Sequence, residues 1–237
     1  MCLVFIGFRV DDEHPVLIGA NREESRRRPT TSPVCCRSRS VRCLLAGADH
    51  GPDGSCPRMG TWLGVNETGL VVAVTNRRDG ELSPAEQLRS RGWLAVALLG
   101  FEDPERATRF AQGDLAEGGY GGCDVLVAND TVAFVVQAPG ARRISTEELQ
   151  PGVHAITNLD LDDRADPRIR IVHENLEPGR FVTSAQRICR DERIIIPGAD
   201  RGTVSSSLIV VGGEVDFYHV QGDPRVGEYQ VFRAFYR

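Results

Sequence analysis

Helical segments in this chain come in pairs bracketed by hairpins, and that ordering constrains the fold more than any single residue does. Leu3 to Val10 and Pro15 to Ala20 flank the polar turn Asp11-Asp12-Glu13-His14 and form a predicted N-terminal hairpin. A second hairpin runs through Thr61 to Val65, the turn Asn66-Glu67-Thr68-Gly69, and Leu70 to Thr75. A third crosses Asn129-Asp130, between Asp124 to Ala128 and Val132 to Gln137. Gly152 to Thr157 reads as a short strand, and the tail returns to strands at 205–211, 214–220 and 228–235. Between these lie a helix over 84–100, opened by Ser83, Pro84 and Glu86, and another from Asp103-Pro104 to about Ala116. Two further helical segments fall near 167–176 and 180–190. A parallel sheet needs a crossover between successive strands, usually a single helix. Helices taken two at a time between hairpins instead predict an α+β protein, with antiparallel sheets covered by helix layers. The stretch from Asn21 to Arg42, polar and interrupted by Pro29 and Pro33, reads as a long connection of the kind that carries function. No segment reads as a linker, so one domain over 1–237 is expected.

Composition narrows the function classes. A net charge of −5 gives no general attraction to nucleic acid. All 28 basic residues are Arg, which excludes Schiff-base lysine chemistry and a phosphate-loop lysine. No apolar run approaches the ~18 residues of a membrane span and no basic leader is present, so a cytoplasmic protein is expected. The seven cysteines include no CxxC pair and no His/Cys cluster at zinc spacing, so neither a metal nor another cofactor is expected. Cys35, Cys36 and Cys43 admit a redox or soft-metal site, or simply scattered thiols in a loop. The five histidines form no motif with Cys, Asp or Ser.

Chemistry enters at the second residue. Removal of Met1 would leave Cys2 with both a thiol and a free α-amino group, whose ordinary pKa of about 7.7 suits a base near neutrality. One residue then supplies nucleophile and base. The alternative is that position 2 is merely a small residue opening a strand.

Five segments extend this reading. They are Ala20-Asn21-Arg22-Glu23-Glu24 with Arg28-Pro29-Thr30; Gly60 to Asn66; Val74 to Asp79; Gly152 to Asp162; and Arg201 to Ser207. Together they resemble the signatures of the NRDE family, that of the transport-and-Golgi-organisation protein 2. Two departures stand out: Glu23 where the family has Asp, and Met59 where it usually carries glycine. The resemblance implies the fold of the N-terminal-nucleophile hydrolases, a four-layer αββα sandwich. The nearest functional analogy is to their cysteine branch of penicillin V acylases, bile salt hydrolases and acyltransferases. Carried over residue by residue, it implies Cys2 as nucleophile and Glu24 at the acidic position that would hold the α-amine. It places the branch's arginine position on Asn21, next to Arg22, which near the thiol would lower its pKa, and Asn76 and Asn158 as oxyanion donors. Asn21, Trp62 and Arg180 are implied as substrate contacts.

Those roles suit the residue types. A tetrahedral oxyanion needs preorganised donors, and an Asn amide donates without ionising. An Asn at a strand end serves equally well to bond its own backbone. Arg22-Glu23-Glu24 is otherwise a solvated charge run, and Arg26-Arg27-Arg28 is either solvent-facing or a contact for an anionic ligand. Two functions follow. One is an N-terminal-cysteine hydrolase or acyltransferase acting on an amide-like or thioester bond of a small molecule through an acyl-enzyme. The other, implied by links of the family to haem trafficking and to acyl-CoA or lipid binding, is a non-catalytic carrier of such a ligand.

Overall fold

The computed structural model describes residues 2–28, 30–47, 60–78, 89–140 and 143–236. It contains two sheets, and every strand pairing is antiparallel. The first orders its strands β10 (Gly152–Ile156), β1 (Leu3–Phe8), β2 (Val16–Ser25), β11 (Arg201–Val211), β12 (Glu214–Gln221) and β13 (Gln230–Tyr236). The second runs in sequence order: β3 (Val34–Ser38), β4 (Val41–Ala46), β5 (Leu63–Asn66), β6 (Val71–Asn76), β7 (Cys123–Ala128), β8 (Ala133–Gly140) and β9 (Arg143–Glu148).

Side-chain alternation shows how these sheets stack. Successive residues of a strand point to opposite faces. In β1, Val4, Ile6 and Phe8 join a core that also takes Ile18 of β2, Leu44 of β4, Ala73 of β6 and Leu126 of β7, so this core lies between the sheets. Leu3 and Phe5 face the other way, onto Ile169 and Val172 of α3 (Pro167–Asn175) and Phe181 and Ile188 of α4 (Phe181–Cys189). In β6, Val72 and Val74 pack on Leu94 and Leu98 of α1 (Arg91–Leu98) and on Ala107 and Leu115 of α2 (Pro104–Ala116). The layers are therefore helices, sheet, sheet, helices, as the αββα expectation required. Burial on both faces explains why β1, and β7 beyond its buried Asp124, are continuous apolar runs instead of alternating ones.

Caps and close packing set local geometry. Asp103 accepts hydrogen bonds from the backbone N–H groups of Glu105 (2.8 Å) and Arg106 (3.2 Å), with Pro104 in the first turn of α2. Asp166 caps α3 in the same way, accepting from the N–H of Arg168 (2.9 Å). Gly19 pairs with Phe5 across β1 and β2, and a Cβ there would lie within 2.8 Å of three Phe5 ring carbons. The ring occupies the side-chain space that Gly19 leaves empty.

The structure departs from the sequence reading in several places. The stretch 21–42 is not one long connection, because β2 continues to Ser25 and β3 and β4 form a hairpin turning at Arg39 (φ 54°) and Ser40. β9 was not foreseen. Its side chains are mostly exposed at a sheet edge, so it lacks the apolar alternation that marks a strand. α1 covers only Arg91–Leu98 with Ser90 as its N-cap, and residues 89 and 90 are not helical, so the helix expected over 84–100 is not continuous across them; the Ser83-Pro84-Glu86 helix start lies outside the described residues.

Candidate active site

Strand register places Cys2 beside an arginine. Leu3 pairs with Asn21, so one step outward brings Cys2 alongside Arg22, and both share the inter-sheet face of Val4 and Ala20. Cys2 and Arg22 are almost fully buried. They form part of the wall of a cleft of about 290 Å³, to which β2 also contributes Glu23 and Glu24. Asn76, at the end of β6, lines it as well. Opposite stand Thr61 and Trp62 before β5, and Ser90, Arg91 and Gly92 at the start of α1.

Gly47 shapes one wall. It holds φ at +56°, a conformation glycine adopts without strain, and a Cβ there would meet Trp62 Nε1 at 3.1 Å and Arg22 Cδ at 3.4 Å. Trp62 and Arg22 thus close over the glycine. Thr61 Oγ1 lies 2.7 Å from the carbonyl of Ala46, which anchors the segment leading into β5.

Burial pushes the Cys2 thiol above its ordinary pKa. The amino-terminal charge, a hydrogen bond from the Glu23 backbone and the Arg22 guanidinium pull it back, while the Glu23 carboxylate adds to the rise. The net direction is upward, so the thiol at neutral pH needs a base before it can attack.

Glu23 is the charged group that sequence reasoning left without a role. Burial raises its carboxyl to about 7, against the pull of the amino-terminal charge and of Arg168. Arg168 Nη1 stands 3.8 Å from Glu23 Oε2, and its Nη2 donates to Asp166 at 2.6 Å. A chain of charge therefore runs from Cys2 through Glu23 and Arg168 to the cap of α3.

Glu24 is engaged elsewhere. Its carboxylate accepts from the Ser25 N–H (2.7 Å), Arg28 (3.1 Å) and Arg201 (3.3 Å), and these partners hold it below its ordinary pKa although its burial opposes them. It lines the same cleft as Cys2 with its carboxylate held by these partners.

The two asparagines come together with different attachments. Asn158 donates through Nδ2 to the backbone carbonyl of Asn76 (2.8 Å), and the N–H of Arg78 donates to the Asn158 carbonyl (2.9 Å). Asn76 lines the cleft and Asn158 stands behind it, bracing the end of β6 against the loop after β10. Arg77 reinforces the junction by donating to Asp124 (3.1 Å) and Asp160 (2.7 Å), with Arg77 and Asp124 almost wholly buried.

Two of the expected substrate contacts lie outside the cleft. Asn21 faces the helix layer, where its Nδ2 donates to the carbonyl of Cys189 (2.9 Å), because alternation along β2 sends odd-numbered residues that way. Arg180 is exposed at the start of α4, beyond that same helix layer. Among the described residues no group of three or more His, Cys, Asp or Glu is placed to hold a metal ion.

The family profile described as Transport and Golgi organisation 2 matches residues 1–194. The chain belongs to that family. No curated protein matches this family member by sequence. Solved structures match it by shape. One is the conjugated bile acid hydrolase of Clostridium perfringens, with the cysteine at its second position changed to alanine: TM-score 0.54 and 11% identity, over 99% of this chain and 97% of that one. Another is the Caenorhabditis elegans orthologue of N-acylethanolamine-hydrolyzing acid amidase: TM-score 0.56 and 13% identity, over 88% and 92%. At such identities the likeness is one of fold, and the fold is that of the N-terminal-nucleophile hydrolases. Among the described residues of this family member, no helix is long and apolar enough to cross a membrane.

Proposed function

We propose that the chain is an N-terminal-cysteine hydrolase or acyltransferase that opens an amide-like or thioester bond of a small molecule through an acyl-enzyme on Cys2. The observation that carries this reading is the place of Cys2: inside a cleft, beside Arg22, with the Glu23 carboxyl lining the same cleft.

In the proposed reaction, loss of Met1 frees the α-amino group of Cys2. That amine takes the thiol proton as sulfur bonds to the carbonyl carbon. The amide side chain of Asn76 donates to the resulting oxyanion. Collapse breaks the bond to the leaving amine or thiol, which takes the proton back from the α-ammonium. Water, or an acceptor nucleophile, then attacks the Cys2 thioester by the same proton path, and the thiol is restored. Glu23 would hold the α-amino group in place, a role that the resemblance had given to Glu24. Asn158 would act by positioning Asn76.

The cleft also favours a substrate with an anionic group. Arg22, Arg28, Arg89 and Arg91 line it against Glu23 and Glu24. The same arginines support the second reading, a carrier for an anionic ligand such as haem or an acyl-CoA. One substitution separates the two. Cys2→Ala abolishes turnover and covalent labelling in the enzyme, whereas a carrier with this change keeps its saturable binding of haemin or acyl-CoA.

A further inference from the structure

The hairpin of β3 and β4 holds a pair of thiols that the proposed reaction does not use. Cys36 and Cys43 are direct cross-strand partners. The N–H of Glu67 donates to the Arg42 carbonyl, and the N–H of Arg42 is bonded to the Glu67 carboxylate, so the Arg42 backbone points toward β5. By alternation the backbone of Cys43 points toward β3, which makes Cys36 and Cys43 a hydrogen-bonded pair. Such pairs have Cα atoms about 5.5 Å apart, inside the 4.4–6.8 Å range that a disulfide spans, and closing the bond draws in Cβ atoms that ordinarily stand about 5.5 Å apart at such a pair to about 4 Å.

The two side chains also share a face. Both pack toward the core beneath α1 and α2, whereas Cys35 pairs with Leu44 and is exposed on the other side. A hydrogen bond from Cys36 is the largest influence on Cys43, holding its thiol below the ordinary value against burial. Access is asymmetric. Cys43 is fully buried, while Cys36 is half-buried on β3, the last strand of its sheet among the described residues.

We propose that Cys36 and Cys43 form a reversible disulfide, and that a small-molecule disulfide of the glutathione class is the oxidant. The Cys36 thiolate attacks one sulfur of that disulfide, forms a mixed disulfide and releases one thiolate. The Cys43 thiolate then attacks the Cys36 sulfur and expels the second. Both protein protons leave with the two reduced thiols, and the protein loses two electrons to the reagent. The bond would fasten an edge strand whose hairpin joins the segments carrying Arg28 and Gly47, both of which line the cleft.

The test uses the full-length protein under native conditions. It is equilibrated with oxidised and reduced glutathione at a series of ratios, alkylated, digested without reductant and sequenced by mass spectrometry. Arg37, Arg39 and Arg42 let trypsin separate the two cysteines. The expected result is loss of two hydrogens and a cross-link between Cys36 and Cys43. It should be reversible on raising reduced glutathione, absent in Cys36→Ser and retained in Cys35→Ser. The proposal is overturned if both thiols stay alkylatable, if Cys36 stops at the glutathione adduct, or if the link joins Cys35 or Cys56.

Discussion

Neutralising Glu23 should make the protein more stable near neutral pH, and the size of the gain follows from where the carboxyl sits. The unfolded chain gives it an ordinary value of 4.5, and burial in the fold raises it to about 7. Between those values the folded state holds a proton that the unfolded state has released, so stability falls as pH rises across that window. At about 1.4 kcal/mol per pH unit, the loss for wild type amounts to about 3 kcal/mol, complete above pH 7. Glu23→Gln keeps the shape and removes the titration. Its stability relative to wild type should therefore climb by about 3 kcal/mol from pH 4.5 to 7 and then level off. Urea unfolding of both proteins at half-unit pH intervals reads this directly, with the urea dependence of the free energy checked for constancy. Parallel stability curves would refute the reasoning, as would a variant that loses ground with rising pH. The first would mean that Glu23's partners fully compensate its burial, and the second that they more than compensate it.

Three further outcomes follow from packing and charge. Gly19→Ala forces a methyl into the Phe5 ring and should cost about 1–3 kcal/mol, with Phe5→Leu in the same chain recovering part of the loss in thermal unfolding. Arg77→Ala removes an ion-pair partner of the almost wholly buried Asp124 carboxylate and should destabilise by about 3–5 kcal/mol in urea unfolding at pH 7; an unchanged unfolding curve would contradict the ion-pair account. Asn76→Ala should lower the rate of Cys2 acylation by about a hundred- to a thousand-fold while leaving the unfolding curve in place, and an unchanged acylation rate would remove Asn76 from the oxyanion site.

The layered architecture was legible because both faces of the sheets are buried. Segments such as Leu3 to Phe8 and Val125 to Ala128 are apolar on both sides, and the pairing of helices left little but antiparallel sheets to cover. The β3–β4 hairpin was not legible, for a physical reason. Its turn uses Arg39 and Ser40 where a glycine or asparagine would signal a tight turn, and its arginines point to solvent. The same polarity hid the end of β2. With the strand stopped at Ala20, nothing indicated that alternation continues through 21–25. Once it does, Arg22 and Glu24 fall on the inter-sheet face with Cys2, while Asn21 and Glu23 turn toward α3 and α4. Sequence spacing alone could not choose between Glu23 and Glu24, because the choice depends on Arg28, Arg201 and Arg168 arriving from distant segments. Arg91 was missed because nothing local marks it, and tertiary packing alone brings α1 to the cleft.

Cys2 remains the centre of the account, and intact-protein mass spectrometry tests it most directly. The purified protein is weighed before and after brief incubation with a panel of acyl electrophiles, alongside Cys2→Ala. The account expects Met1 to be absent and a single acyl group to be added to wild type, with none on the variant. Quantitative retention of Met1, or equal labelling of Cys2→Ala, would contradict it.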